Sequence, residues 1–158
     1  MWKLNTDGCS KGNPGPAGIG GVLRDDCRRW IIGFYGKIQN CTSLEAELRA
    51  IHAGLKFIME QGLNNIMLEA DSEIAVKLLN QEESSNMPLR NLVEDCRALL
   101  ANQDWSIEHT PREGNKVADK LTNLGVVQDC HLVTVGTPPE DLMELLEADS
   151  NGTIFTRI

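Results

Sequence analysis

LNTDGCSKGNPGPAGIGGVLR, residues 4–24, is the stretch on which the reading of the fold turns. An extended run from Trp2 to Thr6 stops at a carboxylate, Asp7. A Gly/Pro-rich turn, Gly8 through Gly15, then leads into a second, glycine-studded strand. An acid at a strand end beside a tight turn can hold a cation, because the backbone is rigid there and the turn admits a ligand closely. Asp-Gly is also a common turn dipeptide, so this stretch alone explains Asp7 equally as the opener of a β-turn.

Working outward, residues 17–24 and 29–38 carry apolar residues in strand-like runs, joined by the short polar link Arg24-Asp25-Asp26-Cys27-Arg28. Strands one to three are therefore expected to form an antiparallel meander. Thr42-Ser43-Leu44-Glu45 is a capping-box pattern, with Thr42 as N-cap and Glu45 turned back to the helix start. Behind it Leu44, Leu48, Ile51, Leu55 and Ile58 recur at helical spacing up to Gly62. Glu45 is fully explained by capping. Glu47, roughly 200° around the helix from it, has no such job and is the acid to suspect.

Asn64 to Ala70 reads as a buried strand ending at Asp71, with a short helix over Ser72 to Glu82 carrying the apolar Ile74, Val76, Leu78 and Leu79. An acid at that junction is commonly an N-cap, which is the alternative for Asp71. The β-helix-β-helix order predicts that strands one and four run parallel. Residues 83–88 form a polar linker, followed by a helix over 88–102 and a last strand from Trp105 to His109. A final helix is expected from Asn115, as N-cap, to Leu124, stopped by Gly125. Asp119 lies one residue past that helix's apolar face, at the sheet edge or in solvent. Beyond it, Thr137-Pro138-Pro139-Glu140 opens a short helix in an acidic segment, expected to be a peripheral packing element or partner handle.

The 158 residues suit one domain with a real core. No apolar run approaches the roughly 20 residues that span a bilayer. Five cysteines, an odd number with no Cys-x-x-Cys pair, make a disulfide framework or zinc site improbable. An intracellular, reducing compartment is expected, nucleus and cytoplasm not being distinguished, with no membrane partner and a monomeric chain. The net charge of −8 is uneven: residues 127–158 carry −5 and residues 1–126 carry −3. Two divalent cations on four of the acids would bring the latter to about +1, so the charge is a weak objection to a polyanionic partner. It predicts modest, salt-sensitive affinity.

Asp7, Glu47, Asp71 and Asp119 are then four candidates for one site. If strands one and four are neighbours, Asp7 and Asp71 emerge side by side, and two carboxylates that close do not both ionise comfortably without a cation between them. All-oxygen ligands favour Mg²⁺ or Mn²⁺ over zinc. Two such ions roughly 3.5–4 Å apart make a phosphoryl-transfer centre.

Four motifs, TDGCSKGNPGP (6–16), TSLEAELRAI (42–51), LEADS (68–72) and HTPREGNKVAD (109–119), resemble those of type 1 ribonuclease H. The resemblance extends to plant proteins with a ribonuclease H-like domain related to that of non-LTR retrotransposons. It covers about residues 2–125 and implies an α/β, ribonuclease H-like fold. Its five-stranded mixed sheet has antiparallel strands 1–3, parallel strands 1, 4 and 5, and flanking helices. The implied domain is residues 1–126, with 127–158 an acidic C-terminal tail carrying a short helix.

The family's metal-binding acids fall on Asp7, Glu47, Asp71 and Asp119. His109 matches a mobile-loop histidine that moves a proton or aids product release, a role suited to a side chain titrating near about 6.5. Asn13 and the backbone of the turn through Gly8, Cys9 and Ser10 match the part that contacts RNA 2′-hydroxyls. Thr42, with Ser43, matches a DNA-strand phosphate contact, in competition with capping. Asn115 matches a motif asparagine. The implied activity is Mg²⁺-dependent hydrolysis of the RNA strand of an RNA–DNA hybrid, with two ions and with Mn²⁺ as a substitute.

Three departures bear on substrate grip. Asn40 stands where many relatives have an arginine, Glu73 where some have a glutamine, and no basic, tryptophan-bearing helix interrupts residues 83–90. Chemistry is therefore expected to be intact and affinity weak, with a larger parent protein or a partner supplying the missing grip. The alternative is a retroelement-derived module that binds nucleic acid without turnover.

Overall fold

The structure, a computed structural model, describes residues 1–81, 89–101 and 103–150. The expected polar linker 83–88 and the end of the chain past residue 150 lie outside the described residues.

Strands β1 (Trp2–Ser10), β2 (Gly15–Arg24) and β3 (Trp30–Cys41) form the antiparallel meander. Helix α1 (Ser43–Glu60) leads to β4 (Ile66–Ala70), which pairs with β1 in parallel. Helices α2 (Glu73–Asn80) and α3 (Arg90–Ala101) lead to β5 (Trp105–His109), parallel to β4, and helix α4 (Lys116–Val127) follows. Short β6 (Val133–Val135) and helix α5 (Met143–Ser150) end the described chain, and the sheet order is β5-β4-β1-β2-β3-β6.

Helices α1, α2 and α3 cover one face. Leu48, Ile51, Leu55 and Ile58 of α1 are fully buried against Leu4, Leu23, Phe34 and Leu68 of the strands. The three-to-four-residue spacing read from the sequence is thus the buried stripe of a helix lying on a sheet. On the other face α4 and α5 close a smaller cluster of Val22, Val117, Leu121, Leu142 and Leu146.

The structure corrects the expected architecture in four places. The first strand does not stop at Asp7 but runs to Ser10, because β2 keeps pairing with it, Asp7 opposite Gly20 and Ser10 opposite Ala17. The turn is correspondingly shorter. Helix α4 passes through Gly125 to Val127. That glycine is a close approach rather than a stop, since a Cβ there would lie 2.4 Å from the Gly36 carbonyl oxygen. Ile74, read as part of the second helix's apolar side, is exposed.

The sheet has six strands, not five. Val133–Val135 pairs antiparallel with Gly33–Tyr35 of β3, supplying the edge strand from the acidic segment. Leu142 of that segment has no exposed surface. Burying an acidic segment's few leucines on α4 removes apolar surface that the five-stranded sheet would leave in water. Leu142→Ala is therefore expected to cost about 2–5 kcal/mol of unfolding free energy, read from urea denaturation. A value near zero would mean the segment contributes nothing to the fold.

Candidate active site

Parallel pairing sets the site. Thr6 is level with Ala70, and Ala70 with His109, so the next residues, Asp7, Asp71 and Thr110, emerge together where the three strands part. The Thr110 N–H donates to the Ala70 carbonyl at 2.9 Å, extending the β4–β5 ladder to that edge. Asp71 is not the cap of α2. Ser72 is, its hydroxyl accepting from the Ala75 N–H at 3.2 Å. Asp71 is left half-buried and beside Asp7.

Glu47 arrives from α1, whose start lies almost on β1. A Cβ on Gly8 would fall 2.1 Å from the Ala46 carbonyl oxygen, so only glycine allows the helix this close. Ligand oxygens of Asp7, Glu47 and Asp71 lie within 4.8 Å of one another. Asp7 and Glu47 are 4% and 8% exposed, and Asp7 Oδ2 and Glu47 Oε2 have no hydrogen-bond partner. Burial and the Asp71 charge push Asp7 up to about 7. Glu47 is raised further, again by burial first and then by the Asp7 and Asp71 charges.

Two buried, partnerless carboxylate oxygens, on Asp7 of β1 and Glu47 of α1, beside the half-buried Asp71 are the donor set of a hard divalent cation, so these residues fit one. Without the cation the arrangement is costly. Both acids are raised, so the folded state holds protons that the unfolded chain has released, and stability falls as pH rises from about 4 to about 7. With a divalent cation in place that loss is offset. The rise in Tm produced by Mg²⁺ over EDTA is accordingly expected to be larger at pH 8 than at pH 5. An equal rise at both would contradict a cation held by these groups.

The remaining candidates are distributed around this centre. Asp119, in the first turn of α4, is exposed and stands outside the 4.8 Å group, yet its charge still raises Asp7. His109 ends β5 as an ordered strand residue on the rim, near enough to Glu73 for its charge to act there. Thr42 caps α1 through the Glu45 N–H at 3.2 Å, but Glu45 turns its carboxylate to Arg49 at 2.8 Å. The capping box is thus half replaced by an ion pair one turn along. Asn115 occupies the cap position of α4 without a side-chain cap bond. Its amide donates instead to the Thr6 carbonyl at 2.9 Å.

The segment 8–13, the end of β1 and the turn after it, is tied to its surroundings. Ser10 Oγ donates to the Cys41 carbonyl at 2.6 Å and accepts from the Asn13 N–H at 3.1 Å. The Ser43 N–H donates to Asn13 Oδ1 at 2.8 Å, so Asn13 and Ser43 hold each other. Cys9, half-buried beside the acids, has its thiol raised by burial.

Sequence reasoning missed Thr122, whose hydroxyl lies 2.9 Å from the Asp7 carbonyl, and Lys11, whose ammonium donates to Asn123 Oδ1 at 2.6 Å. The signal for Thr122 was a polar residue among the buried positions of α4. A second carboxylate group, Asp25, Asp26 and Cys27, is turn chemistry. Asp25 accepts from the Cys27 and Arg29 N–H groups and from Arg29 Nε.

Residues 5–125 match the family model described as reverse transcriptase-like. A provisionally named ribonuclease H protein of Arabidopsis thaliana is 38% identical over 98% of the chain, which spans 25% of that relative's length. Ribonuclease HI of Halobacterium salinarum is 38% identical over 74% of the chain and 60% of its own. The chain thus spans less than two thirds of either relative. Among solved structures, an RNase H1 termed LC11, in complex with an RNA/DNA hybrid, superposes with TM-score 0.73 at 27% identity. That match covers 80% of this chain and 96% of LC11. With four acidic motifs in order, parallel strand ends that join two of the acids, and these matches, the chain belongs to the type 1 ribonuclease H family.

Proposed function

We propose that this chain is a Mg²⁺-dependent endonuclease that hydrolyses the RNA strand of RNA–DNA hybrids. The observation that carries the reading is the convergence of Asp7, Glu47 and Asp71, in which one oxygen each of Asp7 and Glu47 is buried without a partner. The hybrid held by LC11 supports the substrate class. Asp7, Glu47, Asp71 and Asp119 would hold two cations, for which Mn²⁺ can substitute. When bound, the cations supply Lewis-acid polarisation of the scissile phosphodiester.

The chain's own residues do the rest. Asp7 is presented from within β1, just past its last pair with β4, Asp71 from the end of β4, and Glu47 by a helix that Gly8 admits to contact. His109, on the rim, is available to accept or return a proton at an imidazole nitrogen. The braced segment from Gly8 through Cys9 and Ser10 to Asn13 is pre-organised to meet the RNA strand's 2′-hydroxyls, and the α1 start at Thr42 and Ser43 a phosphate of the DNA strand. Additional grip comes from the remainder of a longer chain or from a partner, in keeping with the quarter-length match to the plant relative.

The test is cleavage of end-labelled hybrid, duplex DNA and duplex RNA with Mg²⁺ at low salt. Only the RNA strand of the hybrid should be cut, leaving 5′-phosphate and 3′-hydroxyl ends. A wild type as inert on hybrid as Asp71→Asn overturns the catalytic reading, and equal cutting of all three duplexes overturns the substrate.

A further inference from the structure

Beneath the acids lies a buried polar chain that the chemistry above does not use. Arg24 Nη2 of β2 donates to Asn5 Oδ1 of β1 at 3.2 Å. Asn5 Nδ2 donates to Glu69 Oε1 of β4 at 3.2 Å and to Asn115 Oδ1 at 3.1 Å. Asn115 Nδ2 then donates to the Thr6 carbonyl at 2.9 Å, and the Asn115 carbonyl accepts the Asp119 N–H at 3.0 Å. Asn5 and Asn115 are each 1% exposed and Arg24 7%, so water does not compete for the bonds among these three; Glu69 is partly exposed and also pairs with Lys3 at 3.6 Å.

The direction of every bond is dictated chemically. A guanidinium only donates and a peptide carbonyl only accepts, so Asn5 must turn its oxygen to Arg24, and Asn115 its nitrogen to Thr6. The amides have one orientation each.

Thr6 forms the last pair of the β1–β4 ladder and precedes Asp7. Asn115 therefore clamps the start of α4 to β1 at the point where the metal acids emerge. Asp119 stands outside the tight acid group, and its placement rests on that helix start. We propose that Asn5, backed by Arg24, is a positioning residue that sets Asp119 against Asp7 and Asp71 by holding the Asn115 amide in its single orientation. This rests on the nuclease reading above and names a residue that acts through its neighbours.

Asn5→Asp keeps the size of the side chain and an acceptor for Arg24, but offers Asn115 an acceptor in place of a donor. The Asn115 amide must then leave Thr6 or lose its partner. Asn5→Leu removes all three bonds at similar volume and carries the same test if Asn5→Asp does not fold. Hybrid cleavage is measured over a Mg²⁺ titration on the folded variants. The expected result is a fall in kcat of about 10- to 100-fold, an unchanged KM for hybrid and a higher Mg²⁺ requirement. A purely structural role would leave the Mg²⁺ requirement of the folded fraction unmoved. Folded variants with wild-type kcat and Mg²⁺ requirement overturn the proposal. A wild type inert on hybrid overturns the nuclease reading instead. The positioning role is then judged by the Mg²⁺-induced rise in Tm, which a reduction in the variants supports and equality with wild type overturns.

Discussion

Asp71→Asn is expected to abolish measurable cleavage of hybrid, by about 10³-fold or more, while leaving the metal-free protein as stable as wild type or more so. The first half follows from the site. A metal ligand's contribution of several kcal/mol to transition-state stabilisation corresponds to about three decades in rate. The second half follows from the repulsion. After burial, the Asp71 charge is the largest cause holding Asp7 up at about 7, and it also raises Glu47. Removing it lets Asp7 ionise more easily in the folded state, so the loss of stability between pH 4 and 7 shrinks. If Asp71 were a helix cap, the same change would cost about 1 kcal/mol. Ser72 holds that role, so no such cost is expected. Thermal unfolding in EDTA at pH 8 beside the cleavage assay decides, and a destabilised but active variant would refute both halves.

Gly8→Ala should be a highly damaging small change. The added methyl carbon would sit 2.1 Å from the Ala46 carbonyl oxygen and 2.6 Å from the Glu47 nitrogen. These are helix backbone atoms and cannot rotate away, and heavy atoms pack favourably only near about 3.5–4 Å. The start of α1 must therefore withdraw from β1, taking Glu47 away from Asp7. A shift of about 1 Å in such a constellation costs on the order of 10²-fold in rate. The overpacking costs about 1–3 kcal/mol in stability. Steady-state cleavage with parallel urea denaturation measures both. Full activity in this variant would mean that the approach of α1 to β1 does not set the site.

Much of this was legible in the sequence. The apolar spacing over 44–58 named α1 and its buried stripe. The strand–helix–strand order named the parallel pairing that makes Asp7 and Asp71 neighbours. Singling out Glu47 over Glu45 used the helical period and an expected capping box, of which only the Thr42 half forms. The readings of α1 and of the parallel pairing succeed because they depend on local geometry and element order.

Other features were decided only by tertiary structure. Where the first strand ends depends on how far β2 pairs with it, which no property of Asp7 or Gly8 states. Whether Gly125 stops a helix depends on Gly36, 89 positions away, lying against it. Asn115 reads as a cap in any local account, yet the Thr6 carbonyl and the Asn5 amide, 109 and 110 positions off, claim its side chain. The acidic end supplies a sixth strand because β3 has an open edge there. The chain by itself determined which acids could form a site, since their type and order are local facts. Only the folded chain decided how close they stand and what holds them, because distance between residues far apart in sequence is set by packing and not by period.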